Sequence, residues 1–140
     1  MVTPGSPLLW WDGFAVAFVL TCVVELPAYL LAFVTLGWSR VGPSPQRPMT
    51  VLSALGVALA VNLITHPLLW AVARGLSGPG ELLVAELAVA VVEGLLIFAV
   101  ALVRRGEESR GSRLRWSLLT AVGVNTLSLL VGLLVLPLLT

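Results

Sequence analysis

Residues 62–66 read NLITH, so Asn62, Thr65 and the chain's one histidine, His66, interrupt a run that is otherwise apolar, and Pro67 follows at once. Glu25, Glu86, Glu93 and Asn125 stand in equally apolar surroundings. A carboxylate at the centre of a membrane helix costs on the order of 2.5–3.5 kcal/mol on insertion scales, so such groups face inward and find one another. Two carboxylates and an imidazole held on rigid helices suit one divalent metal ion such as Zn²⁺, Mn²⁺ or Fe²⁺. The ligand set predicted from the sequence is His66, Glu86 and Glu93. The same groups also suit proton binding and proton-linked transport.

Two other classes compete. A metal-dependent intramembrane enzyme could use Glu86 or Glu93 as general base and His66 as ligand or acid. An accessory or structural subunit would use the polar groups only to specify helix pairing. The chain has no His-Glu-x-x-His, Glu-x-x-His or Gly-x-Ser-x-Gly pattern, nucleotide-binding loop or dinucleotide fingerprint, so no catalytic residue is assigned and a non-enzyme is favoured.

Spacing groups these residues by depth. At about 1.5 Å of rise per residue, Glu25 and Asn125 lie about 20 Å from the outer ends of their helices, and Asn62 and Glu93 about 18 Å. Each helix thus contributes one polar residue to a single layer near the midplane. A second layer lies further out, with Ser128 about 15 Å, His66 about 12 Å and Glu86 about 8 Å down. Asn62 and His66 share a helix face at i, i+4, Glu86 and Glu93 at i, i+7, and Thr21, Glu25 and Tyr29 form a stripe by the same rule. The expected result is a polar track from the outer face to the middle, with Thr21, Tyr29, Thr65 and Ser128 in support. Pro27 and Pro67 each free a carbonyl one turn earlier, beside the polar groups.

The order glutamate, asparagine, glutamate, asparagine along four helices also suggests a repeat. V-N-L-I-T at 61–65 matches V-N-T-L-S at 124–128, and the Glu-to-Asn spacings are 37 and 32 residues. Two helical hairpins would then be related by a pseudo-two-fold axis along the membrane normal. On this reading the Glu/Asn layer is structural glue, while His66 and Glu86, which have no counterparts, carry specific chemistry.

The elements that must position these residues are set by composition. Of the 140 residues 59% are hydrophobic and only 11% charged, with a mean hydropathy of +1.05, against roughly 25% charged in a typical soluble domain. Runs at 12–38, 50–74, 81–105 and 114–138 each exceed the roughly 20 residues needed to cross a bilayer core. No segment alternates apolar and polar residues as a β-barrel strand would. The predicted fold is all-α: a polytopic membrane protein with one four-helix transmembrane domain over 1–140.

The first run lacks a basic leader region and carries Trp10–Trp11 as an interfacial belt, unlike a signal peptide. Cys22 follows Leu20–Thr21, a poor lipobox, and a single cysteine forms no internal disulfide. All eight basic residues are arginine. Arg40, Arg47, Arg104, Arg105, Arg110, Arg113 and Arg115 fall on one side and only Arg74 on the other. The positive-inside rule puts the seven in the cytoplasm and both termini outside; in a bacterium the membrane would be the cytoplasmic (inner) one. The RRGEESRGSRLR stretch reads as a topology signal with lipid-headgroup contact, not a nucleic-acid site. Gly56-x3-Ala60 and Ser128-x3-Gly132 offer close helix contact within the bundle, in a homodimer or with a lateral membrane partner.

The sequence therefore predicts a four-helix bundle in the bilayer with an outward-open polar cavity built from Glu25, Asn62, His66, Glu86, Glu93 and Asn125. Its expected function is to bind or conduct a cation, a proton or a divalent metal, as a small transporter would.

Overall fold

Four apolar helices account for nearly all of the described chain. The computed structural model describes residues 7–38, 49–103 and 109–139. Helix α1 spans Pro7–Thr35, α2 Val51–Ala73, α3 Pro79–Val103 and α4 Arg110–Leu139. Each is long and apolar enough to cross a membrane. Leucine and valine side chains are exposed along all four, including Val19, Val23, Leu52, Leu68, Val84, Leu119 and Leu134. In water this exterior would be unstable; against lipid tails it costs nothing. The chain is a membrane-spanning helical bundle. Arg40, Arg47, Arg104 and Arg105, on which much of the predicted sidedness rests, lie outside the described residues, as do the side chains of Trp10 and Trp11.

The helix ends follow local chemistry more than hydropathy. The first run was expected to stay helical to residue 38, but α1 stops at Thr35. Gly37 adopts a left-handed backbone with φ of 71°. Its N–H donates to Val34 O at 3.0 Å, and Trp38 N–H reaches back to Phe33 O at 2.8 Å. This pairing is the Schellman stop, and the rings of Phe33 and Trp38, 6.0 Å apart, supply its usual hydrophobic contact. Thr50 caps α2 by accepting from Ser53 N–H at 3.1 Å. Glu81, in the first turn of α3, accepts from Ser77 N–H at 2.7 Å, which ties the turn to the helix it opens. Helix α4 begins at Arg110, four residues before the apolar run, because a polar turn can be helical outside the hydrocarbon. There Arg113 donates to Ala101 O on α3 at 3.1 Å.

Each helix packs on its chain neighbours and α1 closes the ring against α4, with no direct backbone approach across either diagonal among the described residues. Helices α3 and α4 approach tightly at Gly94. A Cβ there would lie 3.0 Å from Leu118 Cα and 3.3 Å from Ser117 O, and 2.8 Å from a Leu118 methyl. Backbone atoms cannot step aside without parting the helices, so only glycine fits. Buried Ser117 supplies the matching small residue on α4. Gly94→Ala is therefore expected to lower the thermal unfolding midpoint in detergent, at a cost of about 1–3 kcal/mol from overpacking. An unchanged midpoint would show that the α3–α4 contact is looser than described.

Candidate cation site

The midplane layer centres on Glu93 of α3, which is fully buried. Tyr29 of α1 reaches across the bundle diagonal and its hydroxyl donates to Glu93 Oε2 at 2.6 Å. Asn125 Nδ2 of α4 donates to the same oxygen at 2.5 Å and also to Ala121 O at 3.0 Å. Thr65 of α2 presents its hydroxyl to Glu93 Oε1 at 2.6 Å. One carboxylate on α3 is thus held by a residue from each of the other three helices. Three donors around a carboxylate fix its orientation, as outer partners do for a metal ligand.

Glu25, the matching residue of α1, is in the opposite condition. It is fully buried, yet neither carboxylate oxygen has a hydrogen-bond partner among the described residues. The same holds for His66 Nε2, which lies 3.7 Å from Glu25 Oε1. That distance is too long for a hydrogen bond. It is close to the separation of about 3.4 Å between two ligands of a tetrahedral zinc ion at 2.0–2.1 Å each. Asn62, fully buried on the same face of α2, donates its amide N–H to Ala58 O at 3.0 Å, and its Oδ1 is also without a partner. Carboxylate oxygens and an amide oxygen are electron-pair donors, and so is an imidazole nitrogen in its unprotonated form. A cation or a hydrogen-bond donor satisfies such a set; an anion or an apolar group does not.

Glu25, His66 and Glu93 each place one ligand atom within 4.8 Å of the others. The triad is therefore not the His66, Glu86, Glu93 set expected from the sequence. Glu86 stands outside it, half-buried on the wall of a cavity above the cluster. This cavity, about 620 Å³, runs from the α2–α3 turn at Leu76–Pro79 down to Glu25 and His66. Thr21, Glu86 and Ser128 line it, so the outer layer of predicted residues faces one space. Tyr29, Asn62, Thr65, Glu93 and Asn125 lie buried at and beneath its floor. The expected polar cavity requires correction, because most of the wall is apolar, including Phe14, Phe18, Leu69, Trp70, Leu129 and Leu133.

Phe14, Phe18 and Trp70 were missed by reasoning from polar residues alone. Their signal was present: Phe14 and Phe18 extend the Thr21, Glu25, Tyr29 stripe outward, and Trp70 is i+4 from His66.

The internal repeat is visible in one device and broken in another. Asn62 and Asn125 each bond the carbonyl of an alanine four residues earlier, Ala58 and Ala121, at 3.0 Å. The glutamates differ because their surroundings do. Tyr29, one turn after Glu25, serves Glu93 instead, and the position one turn after Glu93 holds Ile97. Glu25 is thereby left without the donors that Glu93 has, and the assignment of both glutamates to structural glue holds only for Glu93. No family model, curated protein or solved structure matches the chain.

Proposed function

We propose that this bundle binds a divalent transition-metal cation between Glu25, His66 and Glu93. The observation that carries the reading is Glu25: a buried carboxylate in a membrane interior with no hydrogen-bond donor among the described residues, 3.7 Å from an imidazole nitrogen that also makes no hydrogen bond. Leaving such a group unpaired is costly, and a bound cation removes the cost. Two carboxylates match a 2+ charge, and one nitrogen with oxygens is a donor set that Zn²⁺, Mn²⁺ and Fe²⁺ accept. Glu93 is already oriented, so side-chain movement of about an ångström in Glu25 and His66 closes the triad on an ion at ordinary bond lengths.

Access is from the end of the bundle that carries the α2–α3 turn, where the cavity lies. The arginine distribution favours the extracytoplasmic side for that end. Beneath the cluster Tyr29, Phe33, Ala58, Ile97 and Ala121 are packed and buried. Passage across the membrane would require that floor to open. Ion flux into liposomes carrying the protein separates a carrier from a binder.

A proton is the second reading, favoured by the geometry of Thr65. Its hydroxyl has one hydrogen but two acceptors in reach, Val61 O at 3.0 Å and Glu93 Oε1 at 2.6 Å. Both contacts are satisfied together when Glu93 carries a proton and donates it to Thr65. Metal content of the detergent-purified protein decides between the two. We expect about one equivalent of metal after reloading, lost in Glu25→Gln and His66→Ala. Absence of metal in the reloaded wild type would overturn the metal reading and leave the proton.

A further inference from the structure

An ion, whether a metal or a proton, does not need the cavity above the cluster. At about 620 Å³ it falls within the range of small-molecule pockets, roughly 300–1,000 Å³. Its wall is also the wrong material for a water-filled vestibule. Phe14 and Phe18 stack at 5.7 Å, Phe14 and Trp70 meet at 5.7 Å, and Phe18 meets the His66 ring edge-on at 6.2 Å. These rings form a continuous aromatic surface from the upper wall to the floor. An apolar cavity of this size holds water poorly and an apolar molecule well.

The charge of the cavity selects among apolar molecules. Among the described residues its ionisable lining is Glu25, His66 and Glu86, with no arginine or lysine. If a divalent ion occupies the triad, it matches the charges of Glu25 and Glu93, and Glu86 remains the unmatched carboxylate. Glu86 makes no hydrogen bond to any described residue, and it faces a space whose other walls are mostly aromatic and aliphatic. A positively charged head meets both needs, by ion pairing with Glu86 and by cation–π contact with the rings.

We infer that this cavity binds a lipophilic organic cation, with its charged head at Glu86 and its apolar body among Phe14, Phe18 and Trp70. The site lies above the metal triad and shares Glu25 and His66 with it as its floor, and its occupancy does not require a metal.

The test is equilibrium binding of tetraphenylphosphonium to the purified full chain in detergent. Tetraphenylborate serves as the control, having the same shape and the opposite charge. Saturable binding of the phosphonium is expected and none of the borate. Chelator-treated protein is expected to bind the phosphonium as well as untreated protein does, so failure of the metal reading leaves this result standing. Glu86→Gln is expected to weaken binding about tenfold or more, the equivalent of about 1.4 kcal/mol, with metal content unchanged. Gly132→Leu supplies a second variant. Gly132 lines the cavity and a Cβ there has nothing within 4 Å, so the new side chain fills the cavity without a clash at its base. It is expected to reduce binding as well. Equal binding of the borate, undiminished binding in either variant, or no saturable binding of the phosphonium would each overturn the proposal.

Discussion

Glu93→Ala is expected to be among the most destabilising single substitutions in this protein, at about 2–4 kcal/mol. Each interhelical side-chain hydrogen bond in a membrane bundle is worth about 0.6 kcal/mol on average and up to about 1.7. Glu93 accepts three, one from each neighbouring or opposite helix. The void left by a buried glutamate side chain adds to the loss. Glu93→Gln, by contrast, keeps every contact. Its carbonyl oxygen accepts from Tyr29 and Asn125, its amide donates to Thr65, and Thr65 then donates to Val61 O. The glutamine variant is expected within about 1 kcal/mol of wild type, while losing the charge a metal requires. Unfolding of the three proteins in mixed detergent micelles measures both effects. Equal destabilisation by alanine and glutamine would contradict the hydrogen-bond assignment.

Glu25 is expected to behave in the reverse manner. It makes no hydrogen bond among the described residues, only the 3.7 Å approach to His66, which is an ion pair when the imidazole is protonated, so Glu25→Gln removes a buried charge without breaking a hydrogen bond and, beside a neutral His66, without breaking an ion pair. In metal-free protein the variant is expected to be as stable as wild type or more so. Metal changes the order. An ion at a hundredfold excess over its dissociation constant stabilises the wild type by about 2.7 kcal/mol, and the variant is expected to gain none. Thermal midpoints with and without Zn²⁺ report the crossover. A metal-free Glu25→Gln that is less stable than wild type by more than about 1 kcal/mol would mark Glu25 as a packing residue.

The contrast between these two glutamates also shows what the sequence could and could not disclose. Both sit in Val-Val-Glu, at residues 23–25 and 91–93, at similar estimated depths in apolar helices. Rise per residue was enough to place them, with Asn62 and Asn125, in one buried layer. The helices were equally legible, because uncharged runs of that length have few alternatives. Partner choice was not legible, since spacing orients residues on their own helix and says nothing of neighbouring ones. Tyr29 lies one turn from Glu25 but bonds Glu93 across the diagonal. That choice satisfies one carboxylate and leaves the other bare. Glu86 was expected beside His66 as a metal ligand, and instead the triad takes Glu25. The helix ends at Thr35 and Arg110 depended on a left-handed glycine and a polar turn, which hydropathy does not register.

The bundle thus combines a rigid element with an incomplete one. Glu93 and its three donors bind the helices together at the midplane, and Gly94, the next residue, permits a tight approach of α3 to α4. Beside this fixed point, Glu25 and His66 present unpartnered atoms at the foot of the cavity. A site built this way spends little on reorganisation when an ion arrives, because one ligand is already held and the others have no hydrogen bonds to break at these atoms.

Anomalous diffraction from crystals grown with Zn²⁺, recorded on both sides of the zinc edge, tests this account most directly. It predicts one strong anomalous peak among Glu25, His66 and Glu93, about 2.0–2.2 Å from the ligand atoms of each. A triad without anomalous density in zinc-loaded crystals, or zinc bound only elsewhere, would contradict it.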